Sequence, residues 1–231
     1  AGASTRGRKF AAKHAELVFI SVPTKEAGKV IVDKIREAVR AEGRDPSEVK
    51  ILSLVTPIIG ETEEDARVKY EDYQNHASYE GSLALFGGWS GIDFSEYKAN
   101  QPIEYVKNDA IQSIVETFTN IDSTKSWTVD DIAKFVGVGG MGQVAVGTAH
   151  SVADQLEGWK EETGVDGFNV AYAVTPGTFE EFVEHVIPIL QDRGLVRREY
   201  EEGTLRKNLF GYDHLPEHHY GKKFSKLTVT K

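Results

Sequence analysis

The residues best suited to chemistry lie at the start of the sequence, where small and hydroxyl side chains stand beside two arginines. The run Ala1-Gly2-Ala3-Ser4-Thr5-Arg6-Gly7-Arg8 precedes a helix predicted to reach about Ala15. Small residues let a ligand approach the backbone, and the free amides and dipole at a helix start favour an anion. Ser4 and Thr5 add hydroxyl groups. The run is compatible with a phosphate site, but the residues alone favour the alternative, a simple helix cap in a disordered terminus.

Other patterns offer weaker chemistry. Residues 137–142 match the letters G-x-G-x-x-G, but a dinucleotide site needs a strand before the motif and a helix after it. A helical segment precedes this motif, which favours a flexible loop. The three histidines of 214–219 have the side chains of metal ligands, yet a solvated tail explains them better, and no metal site is predicted. Trp89 and Trp127 either line an apolar pocket or pack locally.

Acidic pairs and a late histidine have structural explanations. Glu63-Glu64 and Glu180-Glu181 lie in predicted first helical turns, where carboxylates complement the helix dipole. Thr178 with Glu181 has the spacing of a capping box, followed by the strongest amphipathic helix pattern of the chain. His185 lies within that pattern, which favours a structural role.

Composition narrows the classes of protein. The 231 residues contain 27 Lys+Arg against 36 Asp+Glu, a formal net charge of -9, so no nucleic-acid partner is expected. The absence of cysteine excludes disulfides, thiolate metal sites and cysteine nucleophiles. No apolar run approaches the roughly 20 residues of a membrane helix. A cytoplasmic protein without a membrane partner is expected.

The elements that must position the first residues alternate between strands and helices. Strands are predicted at Leu17–Val22, Ile51–Val55 and Gly167–Thr175, and helices at about Lys25–Glu42, Glu63–Asn75, Ile111–Phe118 and Val129–Val136. Strand–helix–strand units of this length imply parallel strands with right-handed crossovers. The alternation breaks in the middle of the chain, which indicates an insertion at about 76–147; such insertions shape substrate pockets. A domain of 1–194 and a charged tail of 195–231 are predicted.

Four segments together resemble one known family. They are AGASTRGRKFAAKHAELVFI, GTAHSVADQLEGW, DGFNVAYAVTPGTFEEFVEHVIPILQDRG and YEEGTLRKNLFG. The set resembles the C-terminal half of the bacterial-luciferase-like flavin monooxygenases, in the branch of nitrilotriacetate monooxygenase component A and dibenzothiophene-sulfone monooxygenase. The resemblance extends to about Gly211.

The resemblance implies an α/β fold, namely the C-terminal half of a (β/α)8 TIM barrel from the end of strand five to strand eight. The insertion then follows the seventh strand. Half a barrel leaves strand edges and an apolar face open. A missing N-terminal half, or a second copy in a homo-oligomer, is expected to cover them.

The resemblance also implies a function. The family is a two-component system, in which a separate NAD(P)H:flavin reductase supplies reduced FMN and O2 is the co-substrate for oxygenating a small organic substrate. The family's A-G-x-S stretch binds the FMN phosphate, and Ser4 matches its serine, with Gly2, Thr5 and Gly7 in the same turn. The alternatives are a catalytically incomplete half-barrel that binds FMN or another phosphate ligand, and an interaction or oligomerisation module without a cofactor.

Overall fold

The computed structural model describes residues 4–103 and 126–224. Its strands are β1 (Leu17–Ile20), β2 (Lys50–Ile59), β3 (Gln143–Gly147) and β4 (Gly167–Val170). Its α-helices are α1 (Thr5–His14), α2 (Lys25–Ala41), α3 (Glu63–His76), α4 (Tyr79–Ser90), α5 (Val129–Gly139), α6 (Ala149–Thr163), α7 (Gly177–Glu181), α8 (Ile187–Asp192) and α9 (Leu205–Phe210). A π-helical segment, Phe182–Val186, joins α7 to α8, and a 3-10 turn, Tyr220–Phe224, ends the described chain.

The four strands form one parallel sheet centred on β2. β1 pairs with residues 50–53 of β2, β4 pairs with 52–55, and β3 pairs with 55–59. The parallel α/β arrangement predicted from the strand–helix alternation is confirmed. No described helix combines the length and hydropathy needed to cross a bilayer.

The sequence analysis missed β3, which lies at the end of the predicted insertion. Residues 143–147, placed inside the insertion of about 76–147, form a strand that pairs with β2. The pattern was hidden because the strand is short and follows a glycine cluster. Gly142 permits the pairing, because a Cβ there would lie 2.7 Å from the Leu54 side chain.

Other boundaries shifted less. β2 runs on to Ile59, whereas β4 stops at Val170, because the amides of Ala173 and Val174 bind the Thr178 hydroxyl at 3.3 and 3.2 Å. The predicted capping box of Thr178 and Glu181 is therefore wrong. The helices predicted after Thr24, Thr62 and Thr128 are confirmed, and each threonine caps its helix. The helix predicted at Ile111–Phe118 lies outside the described residues.

One face of the sheet is buried under helices and the other is partly open. Val18 and Ile51 are partners in register, and both lie in the core formed with α1, α2 and α6. Phe19 and its partner Leu52 point to the opposite face, where the Phe19 side chain is 49% exposed. Parallel sheets are ordinarily covered on both faces. This open apolar face requires a cover that the described residues do not supply.

Asp166 immediately precedes β4 and connects this part of the chain to β2 and α2 by hydrogen bonds. Its Oδ2 accepts hydrogen bonds from the Ile51 amide at 2.7 Å and from Arg36 Nη2 at 2.6 Å. Both donors lose their partner in Asp166→Ala, so we expect the free energy of unfolding to fall by about 2 kcal/mol. The matched control is Asp33→Ala, which removes an exposed pair with Lys29 and should cost at most about 0.5 kcal/mol. Equal losses in urea denaturation would contradict this role.

The predicted tail docks on the chain itself, near the start of β1. Arg206 donates from Nε and Nη2 to the two carboxylate oxygens of Glu16, both at 2.8 Å. This arginine holds the pKa of the Glu16 carboxyl below its usual range. Glu48 contacts His218 at 2.7 Å and the buried Arg44 at 3.3 Å. The tail is thus tied to the rest of the chain by charged groups.

His219 makes this docking sensitive to pH. The side chain is 5% exposed, and Nδ1 accepts a hydrogen bond from the Gly221 amide at 3.0 Å. Burial, followed by the nearby Arg44 charge, lowers the pKa of His219 below its ordinary value of 6.5. Between pH 6.5 and this lowered pKa, the unfolded chain therefore binds more protons than the folded chain. The stability that neutral His219 contributes is present above pH 6.5 and is lost as the pH falls through the lowered pKa.

The expected result is a lower free energy of unfolding at about pH 5.5 than at about pH 8. In His219→Gln, whose amide oxygen can accept the same backbone hydrogen bond, the difference between the two pH values should shrink. An unchanged pH dependence in that variant would assign the effect to other groups.

Candidate functional site

Ser4 is the N-cap of α1. Its hydroxyl oxygen accepts a hydrogen bond from the Gly7 amide at 3.1 Å. The Thr5 hydroxyl accepts from Arg8 Nη2 at 3.2 Å. The amides of Thr5 and Arg6 open the helix and have no carbonyl acceptor within it. These amides, the Ser4 hydroxyl hydrogen and the exposed Arg6 form an anion-attracting helix start.

α1 leads directly into β1, since it ends at His14, three residues before Leu17. In a parallel α/β sheet, the helix that precedes a strand returns from the carboxyl edge of the sheet to its amino edge, so we expect the start of α1 to lie toward the carboxyl edge. Carboxyl edges of parallel sheets are the usual location of ligand sites. Of the predicted site residues, Ser4, Thr5 and Gly7 share this turn, and Gly2 lies outside the described residues.

A cleft of about 310 Å³ lies beyond the carboxyl end of β4, between α3, α5 and the loop that follows the strand. Its lining comprises Tyr73, His76, Ala77, Gly137, Val138, Tyr172, Ala173 and Val174. The lining combines apolar and aromatic side chains with polar atoms in a similar share, and the Tyr172 ring lies 5.6 Å from the Phe179 ring. Such a surface suits a small molecule that has both an apolar part and polar groups.

His76 supplies a polar group to the cleft. Its Nδ1 lies 2.8 Å from the Asp72 carbonyl oxygen, which can only accept, so Nδ1 carries the hydrogen. Nε2 of the neutral ring is then an acceptor. Gly137 allows α5 to approach the end of α3, because a Cβ at this position would lie 2.8 Å from the Ala77 Cβ. The glycine cluster thus shapes a cleft.

The G-x-G-x-x-G sequence at 137–142 allows the close packing of α5 against α3 and forms the turn before β3. Residues 137–139 end α5, and Gly140 adopts a φ of 59° in the turn before β3. The strand follows the motif, whereas a dinucleotide site needs the strand first. The two tryptophans also pack locally: Trp127 is buried with its ring 5.4 Å from Phe135, and Trp89 packs partly buried against the same cluster.

A larger, polar pocket of about 680 Å³ lies at the carboxyl ends of β2 and β3, between α3, the start of α6 and the π-helical segment. Lys69 Nζ crosses it, donating to the Ile59 carbonyl at 2.5 Å and to Glu181 Oε1 at 2.7 Å. His150 and His185 line the pocket, so His185 is not a core residue. Within residues 4–103 and 126–224, no three His, Asp or Glu side chains converge as metal ligands. Through its two hydrogen bonds, Lys69 links Ile59, the last residue of β2, to Glu181, the last residue of α7.

The sequence analysis did not predict the residues that line the cleft or the pairing of Lys69 with Glu181. It assigned Tyr172 to a strand and Glu181 to a helix cap. A usable signal is the spacing of Glu181, Glu184 and His185, which lie on one helix face and all line the polar pocket. Nothing local in the sequence pairs Lys69 with Glu181, which lie 112 residues apart.

Comparison with known proteins gives the class to which this fold belongs. A family model described as luciferase-like monooxygenase matches residues 1–167. The chain therefore belongs to the luciferase-like monooxygenase family, which confirms the resemblance. It is 44% identical to the dimethyl-sulfide monooxygenase of Hyphomicrobium sulfonivorans over 91% of this chain and 44% of that protein.

Two further relatives define the branch and the fold. Nitrilotriacetate monooxygenase component A of Aminobacter aminovorans is 32% identical over 90% of this chain and 47% of its own length. A crystal structure of riboflavin lyase with modified FMN and riboflavin superposes with a TM-score of 0.84 at 30% identity, covering 96% of this chain and 49% of that one. The chain spans about half the length of the relatives it matches.

Proposed function

We propose that this chain is the C-terminal half of a (β/α)8 barrel in an FMN-dependent monooxygenase. Two observations support the half-barrel: the open apolar face around Phe19 and the coverage of about half of each relative. A second barrel half would cover that face and pair with the open strand edges. The intact protein should then have about twice the mass of this chain. An intact mass of 25.6 kDa would contradict the proposal.

The observation that carries the cofactor assignment is the capped start of α1 at the carboxyl edge. Two unpaired amides, two hydroxyl groups and Arg6 present donors and positive charge without a carboxylate in the turn. This donor set fits a phosphate dianion. Ser4 would donate its hydroxyl hydrogen to the FMN phosphate while still accepting from the Gly7 amide. Thr5 and Gly7 shape the same turn.

Bound reduced FMN would supply the chemistry with O2 that oxygenates the substrate, and the protein would supply binding and orientation. We assign the substrate to the cleft between α3, α5 and the loop after β4. Tyr172 and Val174 would contact its apolar part, and His76 Nε2 would accept a hydrogen bond from a polar group. The volume of about 310 Å³ favours a small organic molecule.

The proposed partner is a separate NAD(P)H:flavin reductase, since one relative is named as component A of its system. The test uses the intact protein with chemically reduced FMN, O2 and a panel of small organic sulfides, amines and alkanes. Oxygenated product without any reductase present is the expected result. FMN binding without product from any substrate would favour the non-catalytic alternative, and absence of FMN binding would favour the interaction module.

A further inference from the structure

α1 carries a stripe of cations and one phenylalanine on its outer face. Arg6, Lys9, Phe10 and Lys13 are the members, at helical offsets of 0, 3, 4 and 7. All four are exposed, and the Phe10 side chain is 68% exposed. Ala11 and Ala12 occupy the opposite, buried face. Within residues 4–103 and 126–224 the stripe is thus a continuous surface that contributes nothing to the core.

The tail extends this surface. The Tyr220 ring lies 4.6 Å from the His14 ring, edge to face, and Lys13 Nζ lies 4.5 Å from its centroid. The same 3-10 turn adds the exposed Lys223 and Phe224, the latter 56% exposed. We call Arg6, Lys9, Phe10, Lys13, Lys223 and Phe224 the basic-aromatic stripe.

The charge of the stripe is opposite to that of the protein. Neither α1 nor the turn Tyr220–Phe224 contains an aspartate or glutamate, whereas the whole chain has a net charge of -9. Among the described residues, neither Arg6 nor Lys9 forms an ion pair. A separated charge distribution of this kind orients an approaching protein and accelerates its encounter.

We propose that the basic-aromatic stripe is the docking surface for an acidic patch of the flavin reductase. This rests on the proposed function, in which reduced FMN must reach the start of α1. The stripe begins at Arg6, two residues after Ser4, so a reductase docked there would release FMN beside its proposed binding site. Phe10 would enter an apolar hollow on the partner, and the surrounding cations would pair with its carboxylates.

A local acidic patch fits better than an extended polyanion. A partner protein touches only the stripe, whereas a nucleic acid or an anionic bilayer extends past it and meets the acidic remainder of the chain. Charges within about 8 Å of each other still interact at physiological salt, so the contact between such a polyanion and the acidic remainder of the chain is unfavourable. The stripe is also short, and nucleic-acid affinity depends on many phosphate contacts.

The test measures binding of the intact protein to its NAD(P)H:flavin reductase, purified from the same cells by its reduction of FMN. The dissociation constant should rise with ionic strength. In the double variant Lys9→Glu/Lys13→Glu it should rise at least about tenfold. The matched control, Lys98→Glu/Lys160→Glu, changes the charge equally on exposed residues elsewhere and should bind like wild type.

Phe10→Ser, a second variant without a charge change, should also weaken reductase binding. Equal affinity of wild type and the double variant would overturn the docking proposal, as would binding of phosphatidylglycerol vesicles through the stripe without reductase binding. FMN titration of the same proteins separates the two claims. Normal FMN binding with lost reductase binding supports docking, whereas wild-type protein that binds no FMN overturns the proposed function.

Discussion

Ser4→Asp should abolish most FMN binding while leaving the protein folded. Aspartate is as good an N-cap as serine, so the hydrogen bond from the Gly7 amide and the stability of α1 are retained. Its carboxylate, however, replaces a donor with a negative charge next to the proposed phosphate. Two like charges about 4 Å apart near a protein surface repel by about 4 kcal/mol, so a loss of about a hundredfold or more in FMN affinity is expected. Fluorescence titration of the intact protein measures it.

The control for this variant uses another serine cap. Ser78 caps α4 by accepting from the Gly81 amide at 3.0 Å, in the same manner as Ser4 but away from α1. Ser78→Asp should therefore leave the FMN affinity unchanged. If Ser4→Asp binds FMN as tightly as wild type, the phosphate does not lie at the start of α1, and the cap is purely structural.

Gly60→Ala should cost about 3 kcal/mol of folding free energy, a large effect for one methyl group. A Cβ at this position would clash with the Ala66 amide and lie 2.8 Å from the Ala66 Cα. These atoms belong to the backbone of α3, so α3 as a whole must move. Gly60 also donates its amide to the Gly147 carbonyl at 3.1 Å, which joins the ends of β2 and β3.

The same shift should reach the proposed substrate cleft, because α3 contributes Tyr73 and His76 to its lining. We expect a weaker apparent affinity for substrate together with the lost stability. Gly177→Ala is the matched control, since a Cβ there meets nothing within 4 Å and should change neither quantity by more than about 0.5 kcal/mol. Thermal and urea unfolding measure the free energy of unfolding of the two variants. Equal stabilities of Gly60→Ala and Gly177→Ala would contradict the role assigned to Gly60.

Sequence patterns predicted the elements that have strong local signals. α2 and α3 carry threonine caps and charged first turns, and Lys25–Ala41 also has a clear apolar face. The apolar runs at β1 and β2 were sufficient to place two strands. The sequence analysis missed β3 because its five residues form a strand through their pairing with residues 55–59 of β2 and not through local propensity.

The site was predictable only where one segment forms it. Ser4 and Thr5 lie in a single turn, so residue types alone pointed to an anion. The cleft joins residues from α3, α5 and the loop after β4, which are distant in sequence. The apolar repeat at 179–190 also predicted the buried face only in part. Phe182, Val186 and Leu190 are buried as the repeat predicts, whereas Val183, which lies inside the π-helical segment, is 60% exposed.

The most direct test of the central claim compares FMN with riboflavin, which differ by the phosphate group. If the start of α1 holds that phosphate, the intact protein should bind FMN at least about a hundredfold more tightly than riboflavin, since several charge-assisted hydrogen bonds depend on it. Ser4→Asp should remove that preference by weakening FMN alone. Equal affinity for FMN and riboflavin in the wild-type protein would contradict the account.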